Sequence, residues 1–463
     1  MKYRNLIVGL VCALSLTSCQ KDDNGIPDNP TENDVNKWIE QTMRDNYLWY
    51  QDMPGQGSLD FNADPEKFFA SLLSDKDGKD LSGSHHYFST LEKATTTKSI
   101  FNDNDSYGFD FATSNLKSGN GTYKIAVIIY VLKNSPAEEA GLKRGDWIIG
   151  VNGNEGTITN YDILRSGGSV TFQLARYDEP TDQLIFTRKA TIGASRSVED
   201  TPFIKDSIYT YGSKRIGYLM YNHFVSGPDG FKDNAYNEYL QQLFAKFKTQ
   251  GVNEFVLDLR YNGGGQTICA QLLASLLAPQ SILGKTFCQF TYNDKNEKKN
   301  SSSPFLNTQQ VLAGNLNLGR LFILTGQGTA SSSELVINSF IPYLGKENIR
   351  LIGAQTLGKT VGMNVYDESD TYGWILSPVS FRIYNANHEA NYADGFVPDV
   401  AINEFNHSLA DFGEVSDPLL GEAIAEITGQ RSALRSAANT LPFEITYTPR
   451  TGFRDNLISV QGD

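Results

Sequence analysis

Apolar residues first recur at helical spacing between Asn33 and Leu73. Val35, Trp38, Ile39, Met43, Tyr47 and Leu48 follow Asp34, a residue able to cap a helix, and Phe68, Phe69, Leu72 and Leu73 follow Asp64-Pro65 in the same manner. A small helical module over residues 33–98 is expected. From about Asn102 to Ile192 the pattern changes to short strands with glycine-rich turns, including Lys124 to Val131, Trp147 to Val151 and Ser169 to Arg176. One helix interrupts them, opening at Ser135-Pro136 and closing at Gly141. From about Asp200, the apolar strands Arg215 to Met220, Phe255 to Leu259, Arg320 to Leu324 and Ile349 to Ile352 alternate with helical patterns over Asp229 to Thr249, Thr267 to Leu277 and Ser332 to Leu344. Such alternation predicts a partly parallel sheet with a site at its strand ends. Asp417 to Thr428 reads as one more helix, and residues 436–463 as a C-terminal tail without a strong period. The expected fold is a multidomain α/β protein: the helical module, a β-rich domain over 102–195, and an α/β core with a mixed sheet over 200–435.

With 463 residues, 40% of them hydrophobic, the chain can bury the cores of two or three domains. A net charge of -13 without a Lys/Arg block argues against a nucleic-acid partner. Lys2 and Arg4 precede an apolar stretch from Leu6 to Leu16, which is too short to span a bilayer stably, so residues 1–18 read as an export signal. Its ending, Leu16-Thr17-Ser18-Cys19, resembles the lipobox of bacterial lipoproteins, which implies that Cys19 becomes the lipidated first residue. Gln20-Lys21-Asp22-Asp23 is similar to the acidic export tag of surface lipoproteins in the Bacteroides group. Residues 19–32, polar and with two prolines, then form a flexible tether. The resulting expectation is an exported protein anchored in the outer membrane by lipid, on its periplasmic or cell-surface face.

Of four cysteines, Cys12 leaves with the signal and Cys19 carries lipid. Cys269 and Cys288 either pair or remain as two buried thiols. There is no CxxC, and His388-Glu389 meets Tyr392 where a zinc protease helix requires its second His, so neither metal nor cofactor is expected.

The chemistry concentrates in GTASSSE, Gly328 to Glu334, and TLGK, Thr356 to Lys359. Ser331 follows a strand and a glycine-containing loop and precedes a helical pattern, a position with unpaired amides that favours developing negative charge. Its hydroxyl needs a base. Lys359 can serve if burial lowers its pKa from about 10.4 to roughly 7 to 8. The strand Val256 to Arg260 runs into Gly263-Gly264-Gly265, where backbone amides can approach a ligand, so Gly264 and Ser332 are the candidate donors to an oxyanion. Each motif alone also has an ordinary structural use: glycines turn a chain after a strand, and serines cap helices.

Ser135 to Gly153, SPAEEAGLKRGDWIIGVNG, closely resembles the second half of a bacterial PDZ domain, with Tyr107-Gly108-Phe109-Asp110-Phe111 standing where that family has its carboxylate-binding loop. The resemblance implies that Gly108, Phe109, Asp110 and Phe111 hold the end of a peptide whose backbone pairs with the adjacent strand. Together with the PDZ-like segment, the DLR-x-N-x-GG turn from Asp258 to Gly265, Ser331 with Ser333 and Glu334 in S-x-S-E, Lys359 in T-x-GK and the late Gly395-Phe396-Val397-Pro398-Asp399 resemble the carboxy-terminal processing peptidases, or tail-specific proteases. The resemblance implies a serine endopeptidase that binds unstructured C-terminal tails of proteins or peptides and cuts them with a Ser331/Lys359 dyad. Two positions depart from the family pattern. Met363 replaces a Gln that orients the lysine, leaving Asn364, Ser333 or Thr329 to hold Lys359, and Gly263 replaces a Pro. Two alternatives stay open: a variant in which His223, with Glu334, activates the serine, and a peptide-binding lipoprotein scaffold without strong chemistry.

Overall fold

A computed structural model describes residues 30–81, 84–93, 105–118, 121–155, 161–178, 180–181, 183–430, 445–447 and 458–461. The expected export signal, Cys19 and most of the tether lie outside the described residues. The first helix, Glu32–Asn46, is capped by Thr31: the Thr31 hydroxyl accepts from the amide of Asp34, whose carboxylate accepts in turn from the amide of Thr31. Asp34 is thus the third helical residue and not the cap, because Thr and Asp at this spacing satisfy two orphan amides reciprocally. The second helix, Pro65–Leu72, starts behind Asp64 as expected.

Both helices bury their apolar faces against residues far away in the chain. Ile39, Met43, Phe68 and Leu72 share a core with Val361, Met363, Trp374 and Leu376, and the strand Thr90–Lys93 pairs antiparallel with Trp374–Ser377. The N-terminal helices and the strand Thr90–Lys93 are thus built onto the α/β core, since two short helices bury too little surface alone.

The β-rich domain is a seven-stranded sheet whose main path runs Ile445–Tyr447, Phe109–Ser118, Gly121–Val131, Trp147–Val151, Val170–Asp178 and Gln183–Ile192. The short helix Pro136–Glu139 is capped by Ser135, whose hydroxyl accepts from the amide of Glu138. It packs Ala137 into a core with Tyr107, Phe111 and Ile148.

The central sheet of the α/β core has the order Phe203–Tyr211, Lys214–Tyr221, Glu254–Asp258, Leu321–Thr325, Ile349–Gly353 and Val400–Ala401. Only the first pair is antiparallel. Alternate residues serve two cores. Leu257 and Ile323 face the helices Ala235–Thr249, Thr267–Leu277 and Ser332–Leu344, while Val256, Phe322 and Leu324 meet Leu419 and Ile424 of Pro418–Thr428 and Val127 and Trp147 of the β-rich domain. A second, eight-stranded sheet joins Gly265–Gln266, Ile458–Gln461, Val361–Glu368, Val379–Tyr384, Thr286–Tyr292 and Ser301–Pro304, with Trp374–Ser377 and Thr90–Lys93 at its side. The supposed tail over 436–463 thus contributes one strand to each of two sheets. Such short strands carry too few residues to show a period and exist through their partners.

Candidate active site

Three neighbouring parallel strands deliver the chemistry. Glu254–Asp258 leads to Gly264, Leu321–Thr325 to Ser331, and Ile349–Gly353 to Lys359, so all three loops leave the same carboxyl edge of the sheet. Their proximity is enforced by hydrogen bonds. Asn262 receives the amides of Ala330 (3.1 Å) on its carbonyl and of Gly264 (2.9 Å) on Oδ1, and Ser333 Oγ donates to the same carbonyl at 2.8 Å. The amide of Leu357 donates to the Thr329 carbonyl at 2.9 Å, which ties the TLGK loop to the serine loop.

Glu334 joins the two candidate groups directly. Fully buried, its carboxylate accepts from the amides of Ser331 (2.9 Å), Lys359 (2.8 Å) and Gly358 (2.6 Å) and from Thr356 Oγ1 (2.5 Å). Ser331 and Lys359 share one oxygen, Oε2, so their amide nitrogens lie no farther apart than the two bonds allow. Burial raises the Glu334 pKa to about 7 against the downward pull of these four donors. The sequence carries a signal for this role: Glu three residues after a serine at a helix start is capping-box spacing.

Ser331 sits at the helix N-terminus with φ 63° and ψ -118°, a left-handed conformation that costs a non-glycine residue about 1–3 kcal/mol. Gly264 comes up against it at φ +119°: a Cβ there would lie 2.6 Å from Ser331 Cβ, 2.8 Å from its Oγ and 3.1 Å from the Ser332 amide nitrogen. Only glycine fits so close. Ser332 is the first helical residue, so its amide has no acceptor within the helix. The other candidate oxyanion donor, the amide of Gly264, is spent on Asn262 Oδ1 in this arrangement.

Lys359 is fully buried, with Nζ 4.8 Å from the centre of the Phe88 ring. Burial lowers its pKa to about 7, opposed by the negative charges of Asp77 and Glu334. Asp77 is itself buried and held by Tyr47 Oη (2.9 Å), the amides of Phe88 (2.9 Å) and Ser89 (3.2 Å) and Ser89 Oγ (2.5 Å). Phe88 and Asp77, both from the N-terminal segment, therefore help shape the environment of the amine, and no motif in the sequence announces them.

Among the side chains expected to orient Lys359, Ser333 Oγ donates to the Asn262 carbonyl, Thr329 Oγ1 to that of Leu259 and Asn364 Nδ2 to Tyr366 Oη. Met363 is fully buried in the apolar core shared with the N-terminal helices, which accounts for a thioether where a polar amide was expected. Ser331 Oγ is buried and, among the described residues, makes no hydrogen bond, so neither Lys359 nor His223 is bonded to it here. His223 is buried just beyond Lys214–Tyr221. Cys269 and Cys288 are both buried free thiols.

The candidate carboxylate loop opens the strand Phe109–Ser118. The Gly108 amide donates to Ser106 Oγ at 2.7 Å and the Phe111 amide to Asp110 Oδ1 at 3.1 Å, so a carboxylate there has to displace both. The β-rich domain also reaches the end of the strand Glu254–Asp258 through a buried ionic network. Arg144 contacts Glu404 at 2.7 Å, and Arg260, two residues beyond the strand Glu254–Asp258, contacts Glu404 (2.9 Å), Asp417 (2.8 Å) and Asp258 (2.8 Å). Burial drives Glu404 and Asp417 upward, but Arg260 and Arg144 outweigh it and hold both below the usual carboxylate range.

Comparison with known proteins agrees with this architecture. Residues 215–402 match the model of peptidase family S41, residues 34–90 that of the peptidase S41 N-terminal domain, and residues 127–171 that of a PDZ domain. A crystal structure assigned as an S41 protease from Bacteroides fragilis is 36% identical, with a TM-score of 0.75 over 85% of this chain and 97% of that one. A carboxyl-terminal-processing protease of Synechocystis is 24% identical over 301 residues, 63% of this chain and 61% of that protein's length. Its counterpart in Picosynechococcus is 23% identical over 321 residues, 68% of this chain and 69% of the relative.

Proposed function

This chain belongs to peptidase family S41, and we propose that it is a serine endopeptidase acting through Ser331 and Lys359 on the unstructured C-terminal tails of proteins or peptides. The observation that supports the reading is the Glu334 carboxylate, one oxygen of which accepts the backbone amides of both Ser331 and Lys359 and so holds their segments together at the carboxyl edge of the sheet. A neutral amine there takes the Oγ proton as Oγ attacks the scissile carbonyl carbon. The C–N bond then breaks, the proton passes to the leaving amine, and water releases the acyl group from Ser331. Apo sites commonly hold nucleophile and base beyond hydrogen-bond distance until substrate arrives. A rotation of the Ser331 hydroxyl and release of the Gly264 amide from Asn262 would complete the constellation, with Gly264 and Ser332 as oxyanion donors.

The PDZ domain would hold the tail along Phe109–Ser118, with the carboxylate near Gly108 to Phe111. Lipidation at Cys19 would anchor the enzyme in the outer membrane while residues 20–32 lift the body away. The test uses the chain from Gln20 onward, which keeps the Thr31 cap of the first helix, incubated with peptides differing at their carboxy ends and followed by mass spectrometry. Wild type should cut; Ser331→Ala and Lys359→Ala should bind without cutting. Binding without cleavage by wild type would replace this reading with the peptide-binding scaffold, and loss of activity in His223→Ala but not Lys359→Ala would reassign the base.

A further inference from the structure

Two strands beyond the helix Pro418–Thr428 occupy places a substrate needs. Ile445–Tyr447 lies antiparallel on Phe109–Ser118, with Ile445 opposite Ser114 and Tyr447 opposite Thr113. The other side of Phe109–Ser118 pairs with Gly121–Val131, so the added strand covers the edge that begins at the candidate carboxylate loop. An uncovered edge of this kind recruits extended peptides.

Ile458–Gln461 fills a second opening. On one border Ile458 stands opposite Gly265 and Ser459 opposite Gln266; on the other, Ser459, Val460 and Gln461 stand opposite Met363, Asn364 and Val365. The first border starts one residue after Gly264, which abuts Ser331, and the second belongs to the strand that opens two residues after Lys359. These borders continue from the glycine turn and from the lysine segment, so an extended segment presented to Ser331 has room to pair between them once 458–461 leave. Both pairings are parallel and lead away from Gly264.

We propose that residues 445–447 and 458–461 are a tethered competitor that covers the peptide-binding edge of the PDZ domain and the slot beside Ser331, and that substrate binds by displacing them. The proposal rests on the peptidase reading for its consequence but not for its test. A tethered segment acts at an effective concentration in the millimolar range, while strands of three and four residues hold few enough bonds to be displaced. Apparent affinity for an outside peptide falls in proportion to the small fraction of molecules that are open.

The experiment uses the full chain carrying Ser331→Ala, so that binding is read without cleavage, and a fluorescein-labelled synthetic peptide with the sequence of residues 445–461 as probe. Ser459→Pro removes an amide and fixes φ in the middle of the inserted strand. It should tighten the dissociation constant, read by anisotropy, at least about tenfold. In the unmutated-tail protein, hydrogen exchange at 458–461 should accelerate when the probe saturates, while 363–365 stays protected. An unchanged dissociation constant in a folded Ser459→Pro chain, continued protection of 458–461 under saturating probe, or no binding to either chain would each overturn the proposal. Failure of the peptidase reading would instead be absence of cleavage by wild type, which none of these measurements uses.

Discussion

The protonation of Lys359 offers the sharpest test of the chemistry. An exposed lysine, with a pKa near 10.4, is neutral in only about one molecule in 2,500 at pH 7. Burial lowers Lys359 to about 7, where half the molecules hold a free amine. This corresponds to about 5 kcal/mol favouring the neutral form. With Lys359 as base, log kcat/KM toward a quenched fluorescent peptide should climb between pH 5.5 and 7 and level off above about 7.5. Its slope should exceed one if Glu334, also near 7, must be ionised as well. Lys359→Arg should lose at least about a thousandfold across the range, since a guanidinium stays charged. A rising limb centred near pH 10, or a flat profile, would refute the desolvated amine. Stability supplies an independent sign. The folded state binds this proton more weakly than the unfolded state, so the penalty is full below about pH 7 and is relieved as pH rises toward 10.4. Lys359→Met should accordingly unfold at higher temperature than wild type at pH 6, by an amount equivalent to about 2–4 kcal/mol, with the gap narrowing by pH 9.5.

Gly264→Ala places a Cβ 2.8 Å from Ser331 Oγ at φ +119°, so kcat should drop at least about a hundredfold while circular dichroism stays native. Glu334→Ala leaves four buried donors without an acceptor and should cost about 3–5 kcal/mol in denaturant unfolding, along with nearly all activity. Arg144→Ala removes one of the two arginines that hold buried Glu404, leaving Arg260 in place, and should cost about 1.5–3 kcal/mol, read as a lowered melting temperature. Because Arg260 and Arg144 hold Glu404 and Asp417 below their ordinary values, the stability these carboxylates contribute is present above about pH 5 and lost as pH falls below about 4. The melting temperature of wild type should fall steeply in that acid range, and that of Arg144→Ala less so.

Local chemistry made much of this protein legible in its residues. Thr267–Leu277 and Ser332–Leu344 were readable to the residue because helical periodicity and caps lie within a few positions. The parallel strands were readable because residues buried on both faces form continuous apolar runs. Ser331, Lys359 and the glycine turn stand out because a strained elbow, a buried amine and a close backbone approach each demand a particular residue type. Tertiary structure alone decided what surrounds them. Asp77 and Phe88 reach Lys359 from nearly three hundred residues upstream, Met363 is apolar because the N-terminal helices pack on it, and Arg144 couples the PDZ domain through Glu404 to Arg260 beyond the strand Glu254–Asp258. The strands Ile445–Tyr447 and Ile458–Gln461 exist only through partners distant in the chain. Periodicity and capping record interactions between near neighbours, whereas burial of a charge and completion of a sheet edge depend on which distant segment arrives, and no short stretch of sequence contains both sides of such a contact.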